Sequence, residues 1–542
     1  MRRNIMDLML LLGDEAIAQG AMDAGLSGVY AYPGTPSTEI TEYIQRSKQA
    51  KEKKVHSEWS VNEKTAMEEA LGMSYAGKRA MVCMKHVGLN VAADAFVNSA
   101  ITGANGGLLV VVADDPSMHS SQNEQDSRYY GKFAMIPVLE PSDQQEAYDM
   151  AYNGFELSEK YETPVLLRIT TRLAHSRGAV YRKDLLEENI LKLPENMTQY
   201  VLLPAIARIQ YKKLIDKQQE INTSSEGSAY NYFFDAPDKQ RGVIACGITI
   251  NYLRELYDHG EAPYPVLKIG QYPAPVDKVK MMIGSCAEVL LLEEGYPFLE
   301  EMLNTPYMPQ AKIKGRLSGD LPRTGELNPD LIAQALGMEL SPTRAPSILV
   351  KGRPPSMCAG CTHIEVYNEL NAALIQYGKG RVFSDIGCYT LGALPPYNAI
   401  NSCVDMGASI TMAKGAADAG LKPAVAVIGD STFTHSGMTG LMDAIYENSP
   451  ITIIISDNRT TAMTGGQTSL ATGKLDEVCI GLGVGPDHVH TFEPSPKNRQ
   501  EVINIIEKEL AYEGLSVIIP VRECVQTAKK HKKQNIKKEV AS

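Results

Sequence analysis

Two apolar runs in the C-terminal third of the chain end in residues that can hold a cation. Ala424 to Ile428 leads into Gly429-Asp430-Ser431, and Ile451 to Ser456 leads into Asp457-Asn458. A Gly- and Met-rich segment of helical character joins them. Two parallel strands connected by a helix bring Asp430 and Asn458 to neighbouring strand C-terminal ends, where open α/β sheets bind ligands. A carboxylate and an amide are hard oxygen donors, and they suit Mg²⁺, which shares its octahedral shell with ligand phosphates. Gly429 lets a diphosphate come close to the backbone, and the helix start behind it favours negative charge. Gly-Asp at a strand end is by itself a common turn, so the weight falls on the whole arrangement.

Cysteines make the second constellation. Arg353-Pro-Pro-Ser-Met leads into Cys358-Ala-Gly-Cys361, Cys388 follows a predicted strand at Arg381–Ser384, and Cys524 follows the last strand, which begins at Ser516. A Cys-x-x-Cys pair binds zinc, exchanges disulfides or ligates iron–sulfur. Zinc usually requires a second pair at short range, and none follows. Four thiolates in one domain satisfy iron–sulfur ligation, while ordinary burial accounts for Cys388 and Cys524 with less chemistry. Cys83, Cys246, Cys286, Cys403 and Cys479 lie in or beside apolar segments and read as core.

The elements that must position these residues alternate between strand and helix. Val29–Tyr32 ends in Pro33-Gly34-Thr35-Pro36, Ala80–Met84 follows a helix over Val61–Ala76, and Gly107–Ala113 ends in Asp114-Asp115. This alternation implies parallel sheets covered on both faces. The expected division is an α/β domain over 1–175, a polar linker over 176–239, a smaller α/β domain over 240–340, a third α/β domain over 345–530 and a basic tail over 531–542. The Pro-rich stretch from Pro322 to Pro355 reads as extended. Glu63 opens the Val61–Ala76 helix, where a carboxylate is also a routine helix-dipole residue, and Glu58 is its rival for acid–base work. Met406 and Gly407 begin a Gly/Ala/Met-rich helix whose small residues suit either a close-lying cofactor or tight packing.

Composition bounds the rest. A chain of 542 residues has room for two to four domains. Net charge is −11, spread along the chain, which argues against nucleic acid as a partner. The basic run from Lys529 to Lys538 reads as a solvated tail, with docking of an acidic redox partner as the sharper alternative. No membrane-spanning apolar run occurs and no signal-peptide cleavage site follows the N-terminus, so a cytoplasmic location is expected.

The Gly-Asp-Ser…Asn arrangement resembles the signature of thiamine diphosphate enzymes, and this implies Asp430, Asn458 and the carbonyl of Thr460 as the metal ligands, with Ser431 beside them. Tyr32-Pro-Gly-Thr-Pro-Ser37, Ser60-Val-Asn-Glu-Lys64, Met84-Lys-His-Val-Gly-Leu-Asn90 and Ala113 to Gln125 are similar to the alpha subunits of indolepyruvate ferredoxin oxidoreductases. Those enzymes belong to the 2-oxoacid:ferredoxin oxidoreductase superfamily. The resemblance spans nearly the whole chain and implies a three-domain thiamine diphosphate-binding fold. Related pyrimidine- and diphosphate-binding domains flank a domain like the transketolase C-terminal domain. It implies Glu63 as the partner of the pyrimidine N1′, Thr35 near the substrate carboxylate, and His86 and His119 as polar pocket contacts, each of which reads equally well as a structural histidine. It favours Met406 and Gly407 as cofactor-lining, and it implies one [4Fe–4S] cluster on Cys358, Cys361, Cys388 and Cys524.

The implied activity is oxidative decarboxylation of an aryl 2-oxoacid to its acyl-coenzyme A, with electrons passed to ferredoxin and a smaller beta subunit completing the enzyme. A non-oxidative thiamine-dependent decarboxylase or carboligase, and a non-catalytic scaffold subunit, are the alternatives. One departure stands out. The ferredoxin-like module with repeated Cys-x-x-Cys-x-x-Cys runs that many such alpha subunits carry is absent from this sequence, so electrons are expected to leave the single cluster directly or through another subunit.

Overall fold

The computed structural model describes residues 8–303, 313–340, 345–352 and 354–541. The first seven residues, Arg353 ahead of the Cys-x-x-Cys pair, part of the Pro322–Pro355 stretch and Ser542 therefore lie outside the described residues. The chain divides into two compact units, Met1–Arg344 and Ala345–Ser542.

The first unit contains two main sheets. Seven strands run in the order Gln271–Tyr272, Val138–Leu139, Val165–Thr170, Leu108–Asp114, Ala80–Lys85, Gly28–Ala31 and His56–Trp59. All pairings are parallel except that of the Gln271–Tyr272 edge. Its central strands are buried along their whole length because helices cover both faces. Successive side chains alternate between two cores: Leu109, Val111 and Ala113 enter one, and Leu108, Val110 and Val112 the other. The second sheet runs Ile313–Lys314, Glu288–Leu292, Arg241–Cys246, Val266–Ile269 and Tyr232–Phe234.

The expected linker over 176–239 is more structured than its composition suggests. Arg177–Tyr181 pairs antiparallel with Leu8–Leu12, and Pro204–Glu226 is a 23-residue helix. That helix is polar nearly all round and buries only Gln210, Leu214, Ile221 and Ser225, so its periodicity is faint in the sequence. The segment read as extended also contains a helix, Pro329–Ala335, capped by Asn328 Oδ1 accepting from Leu331 N.

A buried ionic network ties the two sheets of this unit together. Arg168 Nε lies 2.6 Å from Asp114 Oδ2, and its Nη1 meets Glu140. Arg128 pairs with Asp126 at 2.5 Å and with Glu293 at 3.0 Å, the latter carried by the second sheet's segment. Both guanidiniums are wholly buried, and both donate to the carbonyl of Glu294. Charges this deep persist only when paired and hydrogen-bonded.

The second unit holds a six-stranded sheet in the order Ser402–Cys403, Val382–Ser384, Ala424–Gly429, Ile451–Ser456, Ser516–Pro520 and Val489–Phe492, parallel throughout. The Ala424–Gly429 and Ile451–Ser456 strands are neighbours in the register Gly429↔Ser456. The adjacency expected for the Asp430 and Asn458 segments is therefore present.

Candidate functional site

In the second unit, Asp430 begins the helical segment that follows the Ala424–Gly429 strand and is 2% exposed. Its Oδ2 is buried without a hydrogen-bond partner among the described residues. Burial, and then the charge of Asp457, push its carboxyl up to about 7. Ser469 and the local backbone offset this only in part, and a cation at the unpartnered Oδ2 would remove the remaining cost of the buried anion. Asp457, a strand-end residue in the sequence, is the second carboxylate that acts on Asp430. Its own pKa is raised by burial, while Arg459 N donates to its Oδ1 at 2.9 Å.

Asn458 turns its Oδ1 onto Thr460 N at 3.1 Å. Thr460 opens a short hairpin in which Thr460–Thr461 pairs with Gln467–Thr468, and Ser431 Oγ meets Thr461 Oγ1 at 2.8 Å. The loops after the two strands are thus cross-linked beside Asp430. The helical segment then passes through a π-helical turn, Phe433–Gly437, a distortion frequent at functional sites.

Gly429 has a packing role as well. A Cβ there would meet the ring of Tyr389 at 2.6 Å, so the missing side chain makes room for that ring. The Tyr389 hydroxyl donates to Asp385, which also accepts from Ser409 Oγ at 2.6 Å. Burial pushes Asp385 up to about 7. Gly407 is required twice, by its φ of 94° and by Ser436 Cβ, 2.6 Å from where its own Cβ would lie. Met406 before it is half-buried.

His363 was not singled out by sequence, although it stands two residues after Cys361. It is 1% exposed, its Nδ1 meets Ser456 Oγ at 2.9 Å, and its Nε2 has no partner among the described residues. Burial pulls its pKa down to about 4, so the ring is neutral at pH 7. Because Ser456 is the register partner of Gly429, His363 reaches the strand ends that carry Asp430.

The four cysteines converge on the same end of this sheet. Cys361 precedes the Thr362–Ala373 helix, Cys388 begins a 3₁₀ turn and Cys524 precedes the terminal Val525–Ala541 helix. Helix N-termini favour anionic sulfur. Burial raises the Cys361 thiol, and the charges of Cys358 and Cys524 add to this. Burial pushes Cys388 up to about 12, followed by the charges of Cys361, Cys524, Cys358 and Asp430. The thiols are therefore within electrostatic reach of one another, and Cys388 is also within reach of the Asp430 carboxylate. Of the cysteines read as core, Cys83, Cys246 and Cys479 are buried, Cys286 is half-buried and Cys403 is exposed.

In the first unit, Glu63 is the first residue of the Glu63–Tyr75 helix and is 6% exposed. Asn62 Oδ1 caps that helix by accepting from Thr65 N at 2.8 Å. The carboxylate packs on Gly88, where a Cβ would lie 2.5 Å from Glu63 Oε1. Glu58 is exposed on the edge strand, so of the two rivals only Glu63 occupies a dry environment. Thr35 is half-buried, and its carbonyl accepts from Ser120 Oγ at 3.2 Å. Lys85, unnoticed in the sequence, donates to Ser120 O at 2.7 Å, and burial lowers its pKa to about 8.

The two histidines separate sharply. His86 is 1% exposed with neither ring nitrogen partnered among the described residues, and it lines a cavity of about 340 Å³ with Leu89, Tyr129, Tyr130, Tyr296 and Arg323. His119 is on the surface, its Nε2 3.1 Å from Glu326 Oε2. His86 thus lines this cavity and His119 does not, since its ring is held by the mostly buried Glu326 carboxylate.

A family model described as pyruvate flavodoxin/ferredoxin oxidoreductase, thiamine diphosphate-binding, matches residues 19–228. A second, the C-terminal TPP binding domain of thiamine pyrophosphate enzymes, matches residues 385–518. Indolepyruvate oxidoreductase subunit IorA of Archaeoglobus fulgidus is 37% identical over 544 residues, covering 95% of this chain and 86% of the relative. That of Methanothermobacter thermautotrophicus is 38% identical, covering 96% and 87%, and that of Pyrococcus horikoshii 39%, covering 95% and 85%. A solved 2-oxoglutarate:ferredoxin oxidoreductase from Magnetococcus marinus, with 2-oxoglutarate, coenzyme A and succinyl-CoA bound, is similar at a TM-score of 0.50 and 18% identity. That likeness covers 61% of this chain and 65% of the solved one, and it speaks to fold alone. Among the described residues no helix is long and apolar enough to cross a membrane.

Proposed function

Because the chain belongs to the family of the indolepyruvate oxidoreductase subunit IorA, we propose that it is the thiamine-bearing catalytic subunit of an aryl-2-oxoacid:ferredoxin oxidoreductase. Its products are an acyl-coenzyme A, carbon dioxide and reduced ferredoxin, and a smaller second subunit completes the enzyme. The observation that carries the oxidative reading is the set of four cysteine thiols within electrostatic reach of one another, with Cys388 among them also within reach of Asp430. A non-oxidative thiamine enzyme has no use for four thiols at its metal cradle.

Thiamine diphosphate, when bound, supplies the carbanion chemistry that decarboxylation of a 2-oxoacid needs. Asp430, Asn458 and the Thr460 carbonyl would hold Mg²⁺, with Ser431 beside them, and the orphaned Asp430 Oδ2 fits that role. Cys358, Cys361, Cys388 and Cys524 would hold one [4Fe–4S] cluster. Glu63, shielded from water, would hydrogen-bond the pyrimidine N1′ through its carboxyl group. Neutral His363 offers a nitrogen that neither adds charge at the strand ends nor is spent on a partner among the described residues. Thr35 would orient the substrate carboxylate, and the tyrosine-rich cavity beside His86 would receive its aryl group.

The test is anaerobic purification with iron and acid-labile sulfide analysis, followed by assay of the complex with several 2-oxoacids, coenzyme A and an electron acceptor. About four iron atoms per chain, lost in C361S and C388S together with acceptor reduction, is the expected result. Iron-free protein that decarboxylates at the full rate would replace this reading with the non-oxidative one.

A further inference from the structure

Asp14 is wholly buried in the first turn of the Gly13–Asp23 helix, yet neither of its carboxylate oxygens has a hydrogen-bond partner among the described residues. Its neighbour Glu15 shows what ordinary satisfaction looks like here. Glu15 accepts from Leu12 N and pairs with both Arg46 and Arg177. A helix-dipole role accounts for an exposed carboxylate in a first turn, but not for one removed from water with nothing to bond.

Two further donors face it. Glu39 lies in the first turn of the Thr38–Arg46 helix, and His175 ends the Thr171–His175 helix. One ligand atom from each of Asp14, Glu39 and His175 lies within 4.8 Å of the others. Donors around a single octahedral ion stand about 3 to 4 Å apart, so small side-chain adjustments close the set. Glu39 Oε2 and His175 Nε2 are 3.7 Å apart, and their side chains are 36% and 37% exposed, which leaves an entry path on that side. Buried Asp14 forms the floor.

We propose that Asp14, Glu39 and His175 form a binding site for a first-row divalent cation, separate from the Asp430 cradle. Two carboxylates and one imidazole without thiolate suit Mn²⁺, Fe²⁺ or Zn²⁺. Glu39 follows the Pro33–Ser37 loop within one helical turn, so an ion held here braces the loop that carries Thr35 against the helices that begin at Gly13 and end at His175.

Mn²⁺ alone is the probe, because thiolates prefer softer ions and the cysteines do not compete for it. EDTA-stripped full chain without thiamine diphosphate is titrated, and bound ion is counted by loss of the free Mn²⁺ electron paramagnetic resonance signal. D430N serves as background, since it removes the other carboxylate cradle. The expected result is about one Mn²⁺ per D430N chain, none with D14N added, and at least ~10-fold weaker binding with H175Q added. Mn²⁺ should raise the melting temperature of D430N and leave that of D430N/D14N unchanged, with circular dichroism confirming that both are folded. Absence of Mn²⁺ binding by D430N at millimolar concentration, or binding unaltered by D14N, would overturn the proposal. Because every arm is read without Asp430, failure here leaves the thiamine reading standing, and failure of that reading leaves this one standing.

Discussion

At the scale of single residues, Asp430 is the group whose chemistry is most exposed to test. Burial, followed by the charge of Asp457, raises its carboxyl to about 7. Cation binding requires the carboxylate, so proton and metal compete for it. Between pH 7 and pH 6 the ionised fraction falls about fivefold, and the Mg²⁺ concentration for half-maximal thiamine diphosphate binding should rise by the same factor. In the ligand-free protein the sign is opposite. The native state keeps a proton that the unfolded chain releases near pH 4, so this carboxyl's contribution to stability declines as pH rises from about 4 through 7. D457N should shift the Mg²⁺ profile to lower pH, as measured by calorimetric titration across pH; an unmoved profile would assign the titration elsewhere. Asp430 was legible in the sequence because a strand end followed by Gly-Asp is a local pattern. Asp457 and His363 acquire their roles only through the register that sets Ser456 beside Gly429.

At the scale of elements, two helix starts decide where the candidate acid–base group sits. The Glu63–Tyr75 helix presents Glu63 from its first position, and the His86–Thr102 helix offers Gly88 as the surface on which that carboxylate rests. A methyl group at 88 would fall 2.5 Å from Glu63 Oε1, closer than non-bonded atoms tolerate. G88A is therefore expected to displace the carboxylate and lower turnover by about 10²-fold, as E63Q should, through loss of acid–base help. Circular dichroism and thiamine diphosphate affinity should stay near wild type in both variants, and a G88A enzyme with wild-type turnover would remove Glu63 from the mechanism. The pairing of Glu63 with Gly88 spans 25 positions of sequence, and no local pattern announces it. What the sequence offered was the first-turn carboxylate and its exposed rival Glu58, and burial separates the two.

At the scale of the whole molecule, the first unit depends on Arg128 and Arg168, which join its two sheets through Asp114, Asp126, Glu140 and Glu293. Removing one guanidinium leaves buried carboxylates uncompensated, so R168M should destabilise this unit by about 3–5 kcal/mol, seen as an early thermal transition while the second unit keeps its own. A single unshifted transition would show that the network is not needed for stability. The sequence by itself determined the alternation of strands and helices, the parallel sheets and the strand-end position of Asp430, because these follow from short-range patterns of apolar and polar residues. It left the Pro204–Glu226 helix unread, since a helix polar on nearly every side carries little periodicity. Only the tertiary structure decided that Cys388 and Cys524, 136 positions apart in the chain, share one neighbourhood with Cys358 and Cys361. It also decided that Gly429 yields its space to Tyr389, and that Asp14 is buried without a hydrogen-bond partner among the described residues. Burial and the meeting of distant segments are properties of the packed chain, set by which faces cover which, and no window of sequence contains them.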